Sequence, residues 1–214
     1  MQIIPFPSLE SQSLGLYPIV SEYTQLAQLL PLGINIIQLR IKDMRGVVLE
    51  QQIRRSIQLV KHSKTKLFIN DYWELAAYYG AYGVHLGQTD LDNVPVERLR
   101  KIGLRLGVSA YSDAELARAC ALKPSYIAYG PIFPTASKRM SVAAQGVNKL
   151  RQVRRVVHCP LVAIGGIGLT QLPDILACEV DGIAVISAIS QASNPVQVAT
   201  KLMSIIGTRY RSNA

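Results

Sequence analysis

The sequence predicts an α/β fold, a single (β/α)8 TIM barrel that occupies residues 1–214 as one domain. Eight short apolar runs recur along the chain, and most are continuously apolar rather than alternating, which is typical of parallel strands covered by helices. The segments between the runs leave room for one helix and two loops each, as a barrel of about 250 residues requires. A doubly wound sheet needs fewer strands and a GxGxxG motif after the first strand, which this chain lacks. The predicted strands are Leu16–Val20, Ile36–Arg40, Lys66–Asn70, Gly83–Gly87, Arg105–Ser109, Tyr126–Gly130, Pro160–Gly165 and Gly182–Ser187.

Helix-start signals lie between these runs. Ser112 and Glu115 form a capping box ahead of an apolar stretch, because the serine can accept from the backbone of the residue three positions on. Two further helices have a polar residue in the capping position. These are Thr170 ahead of Gln171–Cys178 and Asp71 ahead of Tyr72–Tyr79.

Composition excludes several classes of protein. With 49% hydrophobic and 17% charged residues, the chain can bury a sizeable core and is not disordered. No window approaches the roughly 18 apolar residues of a membrane span, and Met1–Val20 lacks the pattern of a signal peptide. Three cysteines without CxxC spacing indicate neither a disulfide framework nor a zinc site. We therefore expect a cytoplasmic protein with no membrane partner.

The net charge of +9 indicates either an anionic partner or a positively charged, solvated surface. A basic chain fits nucleic acid, an anionic membrane or phosphorylated small molecules. No lysine or arginine precedes Arg40, and no basic tail extends beyond Arg209 and Arg211. The densest basic segment has helical spacing and is expected to be a solvated helix face. It contains Lys149, Arg151, Arg154 and Arg155.

Polar residues follow the second strand, at the end where barrel enzymes carry their chemistry. Alternation places Gln38, Arg40 and Lys42 on one side of this strand, facing inward. Two buried cations are costly unless they meet an anion. A guanidinium matches phosphate oxygens with two hydrogen bonds, so Arg40 indicates phosphate binding.

Two carboxylates follow the third and fourth strands. Asp71 alone would be interpreted as a helix cap, but Asp90 brings a second acid to the neighbouring loop. Two acids facing cations resemble a Mg²⁺ site that also bridges phosphate oxygens. We interpret His85, within the fourth strand, as a hydrogen-bonded interior histidine rather than a metal ligand.

The later strand ends supply hydroxyls, glycines and a long loop. Ser109 closes the fifth strand, and the loop from Gly130 to Lys138 has the length and composition of a lid. Gly165 and Gly166 after the seventh strand, with the amides after the eighth, form the usual phosphate site of such barrels. The chain thus has two candidate anion sites, for two phosphorylated substrates or one with phosphates at both ends.

Taken in order, these motifs resemble thiamine-phosphate synthase, and the resemblance runs from the first strand to the eighth. The motifs that carry it are Gln38-Leu-Arg-Ile-Lys42, Phe68-Ile-Asn-Asp71, Gly83-Val-His-Leu-Gly-Gln-Thr-Asp90, Gly107-Val-Ser109, Gly130-Pro-Ile-Phe-Pro-Thr-Ala-Ser-Lys138 and Val162-Ala-Ile-Gly-Gly-Ile167. The resemblance implies a transferase of thiamine biosynthesis that joins hydroxymethylpyrimidine diphosphate to hydroxyethylthiazole phosphate, or its carboxylated form, with release of pyrophosphate. The implied displacement is dissociative and needs no enzyme nucleophile.

The resemblance also implies roles for individual residues. One Mg²⁺ ion would be held by Asp71 and Asp90. Catalysis would depend on Lys138, Arg40, Lys42 and Ser109. The pyrimidine diphosphate would be bound by Gln38, Leu39, Arg40, Ile41, Lys42, Asn70, Ser109 and Lys138. The thiazole phosphate would be bound by Thr135, Ala136, Ser137, Gly166, Ile186 and Ser187.

Two rival functions are weighed against this one. A related thiazole tautomerase would share the barrel and the thiazole phosphate site, but it has no need of the residues for a diphosphate and Mg²⁺. A nucleic-acid-binding protein would use the positive charge, yet the chain lacks basic tails and a recognisable binding motif. We therefore expect two phosphorylated small molecules as partners and no nucleic acid, with the oligomeric state left open.

Overall fold

The computed structural model describes residues 3–10, 13–135 and 143–212. Eight parallel strands close into one barrel in sequence order, with β1 paired to both β2 and β8. The predicted (β/α)8 fold is confirmed, and the strand bounds differ from the predicted ones by at most two residues. The strands are β1 Gly15–Val20, β2 Ile36–Leu39, β3 Lys66–Asn70, β4 Gly83–Leu86, β5 Arg105–Ala110, β6 Tyr126–Tyr129, β7 Leu161–Ile164 and β8 Gly182–Val185.

Helices follow the strands and cover the outside of the barrel. Those in the described part of the chain are α1 Tyr23–Leu29, α2 Gly46–Val60, α3 Trp73–Tyr78, α4 Val96–Lys101, α5 Asp113–Ala121, α6 Gly146–Val156, α7 Leu172–Leu176, α8 Ser187–Ser190 and α9 Pro195–Ser212. Short 3-10 turns add Leu30–Leu32 and Asp90–Asp92. Among these helices none is long and apolar enough to cross a membrane.

The capping prediction holds at α5. The Ser112 hydroxyl accepts from the Glu115 N–H at 3.2 Å. The Glu115 carboxylate in turn accepts from the N–H of Tyr111 at 2.6 Å, one residue before the cap. The predicted Ser112 cap is therefore formed, whereas the reciprocal bond of the capping box goes to Tyr111 instead of the N–H of Ser112 itself.

The other two predicted caps are wrong. Helix α3 begins at Trp73 with Tyr72 as its N-cap, because the Asp71 carboxylate bonds to a lysine instead. Helix α7 begins at Leu172, and the Thr170 hydroxyl donates to the Gln171 side chain at 3.1 Å rather than capping the helix. Local propensity was overridden in both places by a side-chain partner.

Aromatic rings fill the inside of the barrel. Tyr126 packs edge-on against Tyr17 and Phe68, with ring centroids 5.7 and 5.2 Å away. Glycines face two of these rings from the neighbouring strand: Gly107 is paired with Tyr126 and Gly83 with Phe68. A Cβ at either glycine would lie within 3.0 Å of the opposing ring. Glycine at these positions therefore makes room for the aromatic layer.

The segment before β1 covers the amino ends of the strands. The Glu10 carboxylate pairs with Lys66 at 2.5 Å and Arg105 at 3.4 Å, the first residues of β3 and β5. The Phe6 N–H donates to the carbonyl of Lys123 at 2.9 Å. With this end covered, the described part of the barrel presents its cavity at the opposite end.

The basic segment on α6 is bonded to surface acids. Lys149 pairs with Asp113 at 2.7 Å, and Arg154 pairs with Asp181 at 2.7 Å. Arg155 is exposed on the same helix. This part of the positive charge belongs to the outer helix surface, as the sequence predicts, and not to the cavity.

Candidate active site

A cavity of about 340 Å³ lies at the carboxyl ends of the strands, a volume in the range of small-molecule sites. Every strand contributes to its lining, either directly or through the loop that follows. The lining residues are Ile19, Gln38, Arg40, Lys42, Asn70, Asp71, His85, Gly87, Gln88, Thr89, Asp90, Ser109, Tyr111, Glu115, Pro131, Thr135, Ile164, Gly165, Gly166, Ile167, Ala184, Val185, Ile186 and Ser187.

One wall of the cavity is charged. The Lys42 ammonium donates to the Asp71 carboxylate, which joins the loops after β2 and β3. The Arg45 guanidinium lies outside the lining and donates to the carbonyls of Lys42 and Met44 at 2.6 and 2.7 Å. These bonds tie down the segment that carries Lys42. Arg40 lines the same wall, so two cations face the carboxylates.

Asp71 has a backbone conformation that few side chains adopt. Its φ is 64°, in the left-handed region, where aspartate is tolerated better than most residues. Its N–H donates to the carbonyl of His85 at 3.0 Å, and its own carbonyl accepts from Trp73. Strained backbone of this kind clusters at functional sites, and here it places the carboxylate at the cavity.

Asp90 begins the 3-10 turn after β4. Its carboxylate accepts from the Gly87 N–H at 2.9 Å. Burial raises the pKa of Asp90, and the nearby Asp71 carboxylate raises it further. The two acids are thus close enough for their negative charges to repel each other.

This pair of acids fits a Mg²⁺ ion. Carboxylate oxygens are the ligands that Mg²⁺ prefers, and the ion commonly uses one or two of them with water and substrate phosphate. A divalent cation would also relieve the repulsion that raises the pKa of Asp90. Among the described residues there is no cluster of three or more metal-ligating side chains, so the acids would need further ligands from substrate or water.

The floor of the cavity is polar although it is buried. Gln38, Asn70, His85 and Ser109 are each no more than 6% exposed. His85 bonds through Nδ1 to the Tyr126 hydroxyl at 2.7 Å and through Nε2 to the Ser109 hydroxyl at 2.8 Å. The interpretation of His85 as an interior, hydrogen-bonded histidine is confirmed.

The opposite wall combines the loops after β6, β7 and β8. The N–H groups of Ile132 and Phe133 donate to the carbonyls of Ile164 and Gly165, both at 3.0 Å. A Cβ at Gly165 would lie 2.5 Å from the Cα and Cβ of Pro131. The first residues of the loop after β6 are therefore anchored on the loop after β7. Thr135, Gly166, Ile186 and Ser187 line the cavity on this side.

Not every predicted site residue faces the cavity. The side chains of Leu39 and Ile41 are buried in the core between strands and helices, so only their main-chain groups are available to a ligand. Alternation along the strand explains this, since Gln38 and Arg40 take the inward positions. Three predicted residues, Ala136, Ser137 and Lys138, lie outside the described residues.

Sequence reasoning missed Gln88, Tyr111 and Glu115, which also line the cavity. The Gln88 amide nitrogen donates to the carbonyl of Ser109 at 2.7 Å. Its Oε1 atom is buried and has no hydrogen-bond partner within the described ranges. A buried acceptor of this kind is costly when unpaired. Gln88 stands two residues after β4, beside the recognised Asp90, and that position was the available signal.

Comparison with known proteins identifies close relatives. The profile of the family described as thiamine monophosphate synthase matches residues 16–189. A thiamine-phosphate synthase of Serratia proteamaculans is 47% identical over 203 residues, which covers 94% of this chain and 95% of that protein. One from Yersinia pseudotuberculosis is 46% identical over 202 residues, covering 94% of each.

Solved structures agree with these relatives. A thiamine phosphate pyrophosphorylase from Pyrococcus furiosus superposes with a TM-score of 0.82 at 30% identity, covering 92% of this chain and 98% of that one. A 3-hexulose-6-phosphate synthase superposes with a TM-score of 0.63 at 16% identity, covering 90% of this chain and 99% of that one. The second likeness shows a shared barrel and nothing more.

Proposed function

The chain belongs to the thiamine monophosphate synthase family and is a transferase, and on that premise we propose that it condenses hydroxymethylpyrimidine diphosphate with hydroxyethylthiazole phosphate, or its carboxylated form. The products would be thiamine phosphate and pyrophosphate. One observation carries the proposal: a single cavity has two cations and two carboxylates on one wall and a glycine-rich wall opposite.

The charged wall suits the diphosphate. Displacing pyrophosphate from the pyrimidine methylene carbon leaves negative charge on the departing oxygen. Arg40 and Lys42 would neutralise that charge, and the Ser109 hydroxyl would hydrogen-bond a phosphate oxygen. Lys138 is proposed to join them from the loop after β6, and Gln38 and Asn70 would bind from the floor. No nucleophile on the enzyme is required, because in the proposed dissociative displacement pyrophosphate leaves first and the thiazole nitrogen then attacks the methylene carbon.

Mg²⁺ is proposed as the cofactor, held by Asp71 and Asp90. When bound, the ion would supply positive charge to the diphosphate oxygens. The two carboxylates offset part of the charge of the neighbouring cations, so a bare diphosphate would meet both attraction and repulsion on this wall. Lys42 already contacts Asp71, and its ammonium is therefore held beside the proposed metal site.

The glycine-rich wall suits the thiazole phosphate. Gly165 and Gly166 have φ values of 100° and 66°, so this turn can expose main-chain N–H groups that a side chain would obstruct. Thr135 and Ser187 would add hydroxyl donors, and Gly166 and Ile186 main-chain groups. Ala136 and Ser137 are proposed to complete this subsite. Two anionic substrates would then meet with their reacting atoms between the walls.

The direct test is product formation. The protein is incubated with both substrates and Mg²⁺, and thiamine phosphate is followed by mass spectrometry. We expect product with both substrates and none when either substrate or the metal is withheld. A folded protein that forms no product under these conditions would refute the proposal.

The same assay separates the rival functions. A thiazole tautomerase would convert a thiazole phosphate isomer without needing pyrimidine diphosphate, whereas the proposed synthase consumes both. Retention of random DNA at physiological salt would favour a nucleic-acid-binding protein. Small phosphorylated partners, a cytoplasmic location and no binding to nucleic acid or membrane stay predictions.

A further inference from the structure

A chain of buried polar groups runs under the cavity from Gln38 to Ser109. The Gln38 amide nitrogen donates to the Tyr17 hydroxyl at 3.3 Å, and the Tyr17 and Tyr126 hydroxyls lie 2.7 Å apart. Tyr126 contacts His85 Nδ1 at 2.7 Å, and His85 Nε2 contacts Ser109 at 2.8 Å. Both ends of this chain, which we call the tyrosine relay, line the cavity.

The hydrogen atoms of the relay can be assigned by counting donors and acceptors. With the Gln38 amide oriented as in the structure, its nitrogen faces Tyr17 and can only donate, so the Tyr17 oxygen accepts there. The Tyr17 hydrogen then has one acceptor among the described residues, the Tyr126 oxygen. Tyr126 must in turn donate to His85 Nδ1, which leaves the hydrogen of the imidazole on Nε2.

Hydrogen bonds that ran in the opposite direction along the relay would leave one donor unpaired. If Ser109 donated to His85 and His85 to Tyr126, the Tyr126 hydroxyl would donate to Tyr17. The Tyr17 hydrogen would then have no acceptor among the described residues, at a side chain that is 1% exposed. A buried donor without an acceptor is strongly disfavoured. Burial also raises the pKa of both tyrosines, so both hydroxyls keep their hydrogens.

We propose that Tyr126, whose oxygen accepts from Tyr17, is a positioning residue that holds His85 as the Nε2–H tautomer and thereby leaves the Ser109 hydroxyl to donate into the cavity. His85 donates to the Ser109 oxygen, and His85 is the hydroxyl's bonded partner within the described part of the chain. The Ser109 hydrogen is thus available to an anionic oxygen, which makes a stronger acceptor than a neutral one. This inference rests on the proposed function for the identity of that oxygen, a diphosphate oxygen.

The packing around Tyr126 leaves the relay little freedom. Tyr126 is 0% exposed, its ring lies against Gly107, and its stacked contact with His85 has a centroid distance of 5.6 Å. Removing the hydroxyl alone, as in Tyr126→Phe, keeps the ring and its contacts. A loss of function in that variant would therefore report on the hydroxyl and not on packing.

The first experiment reads the tautomer directly by 15N NMR of histidine-labelled protein without ligand. The sequence has three histidines, and His62 and His158 are exposed, so the buried His85 is distinguishable. We expect His85 in the wild-type protein to carry its hydrogen on Nε2. In Tyr126→Phe the tautomer should shift or become mixed. In Tyr17→Phe it should persist, because Tyr126 can still donate to Nδ1.

The matched control is Tyr129→Phe. Tyr129 is also buried on β6, but its hydroxyl bonds to Gln145 outside the relay. This variant should leave the His85 signals unchanged. A wild-type His85 with its hydrogen on Nδ1 would overturn the proposal even if the Tyr126→Phe variant failed to fold.

The second experiment measures the affinity for inorganic pyrophosphate with Mg²⁺ by calorimetry. Tyr126→Phe should weaken binding by about tenfold, the scale of one hydrogen bond to a charged group. Ser109→Ala should weaken it equally, and the double variant should show no further loss because both act through one hydroxyl. Additive losses, or an unchanged affinity in Tyr126→Phe, would overturn the proposal. A wild-type protein that does not bind pyrophosphate would instead count against the proposed function, and the tautomer measurement would still decide the relay.

Discussion

Replacing Gly107 by alanine is a small change that would create a severe steric clash inside the barrel. A Cβ at this position would lie within 3.0 Å of Cζ, Cε1 and the hydroxyl oxygen of Tyr126. Carbon atoms in contact normally stay about 3.5–4.0 Å apart, so the ring must move. Tyr126 is fully buried and packs against Tyr17, Phe68 and His85, so moving its ring disturbs these contacts.

The loss in free energy of unfolding caused by Gly107→Ala can be estimated from these contacts. Overpacking a core costs about 1–3 kcal/mol. Displacing the Tyr126 hydroxyl breaks its bonds to Tyr17 and His85, each worth about 1 kcal/mol. We expect a total of about 3–5 kcal/mol. For a chain of 214 residues this lowers Tm by about 6–20 °C, at about 2–4 °C per kcal/mol.

Thermal and urea unfolding of wild type and variant measure this loss. Gly168→Ala is the control, since its Cβ would have no neighbour nearer than 3.4 Å. It should change stability by no more than about 0.5 kcal/mol. A Gly107→Ala protein that melts within about 2 °C of wild type would refute the packing argument, because the expected loss is several times larger.

The other predictions concern the charged wall and one helix. Lys42→Met should lower kcat by about 100-fold or more, because Lys42 is proposed to stabilise the leaving group. Its half-exposed ion pair with Asp71 contributes at most about 1 kcal/mol to stability, so Tm should change little. Kinetics and thermal melting of one preparation check both expectations. Asp90→Asn should lose most turnover yet melt at an equal or higher temperature at pH 7. Because the native pKa of Asp90 is raised, the native state holds more protons than the unfolded chain at a pH between the unfolded and native pKa values. Ionisation of Asp90 therefore lowers stability as the pH rises from the unfolded pKa through the native one. Ser112→Ala should cost about 1 kcal/mol in urea unfolding, from the lost cap, with kcat unchanged.

Each of these three variants has a control or an outcome that would contradict the prediction. Asp92→Asn removes a carboxylate from the same 3-10 turn, where it pairs with Arg118 on the surface, and should leave turnover intact. A large drop in Tm for Lys42→Met with activity per folded molecule preserved would show a structural role. An Asp90→Asn protein that is clearly less stable at pH 7 would contradict the assigned pKa direction. For Ser112→Ala, a loss of kcat would place the cap in the catalytic machinery.

Much of the candidate site follows from the sequence because it depends on local geometry. Side chains alternate along a strand, so Gln38 and Arg40 must share a face once β2 is recognised. Carboxyl ends of parallel strands meet at one end of a barrel, so Asp71 and Asp90 come together there. The same alternation, applied to Leu39 and Ile41, would have turned their side chains toward the helices.

The wrong helix caps show where local reasoning ends. Asp71 has the chemistry of a cap, but Lys42, distant in sequence, binds its carboxylate in the folded chain. Gln88 shows the opposite case, a side-chain oxygen left without a partner among the described residues. The residue type of Gln88 gives no sign that its buried acceptor is unpaired there. Such outcomes depend on competition among partners that the fold alone brings within reach.

By itself the sequence determined the order and type of the elements and the residues at the strand ends, because hydrophobic periodicity and strand alternation are properties of neighbouring residues. Only the tertiary structure decided the tyrosine relay, the raised pKa of Asp90 and the room that Gly107 leaves for Tyr126. These depend on burial and on contacts between strands far apart in the chain. Burial strengthens hydrogen bonds and charge interactions by removing water, and no window of sequence contains that information.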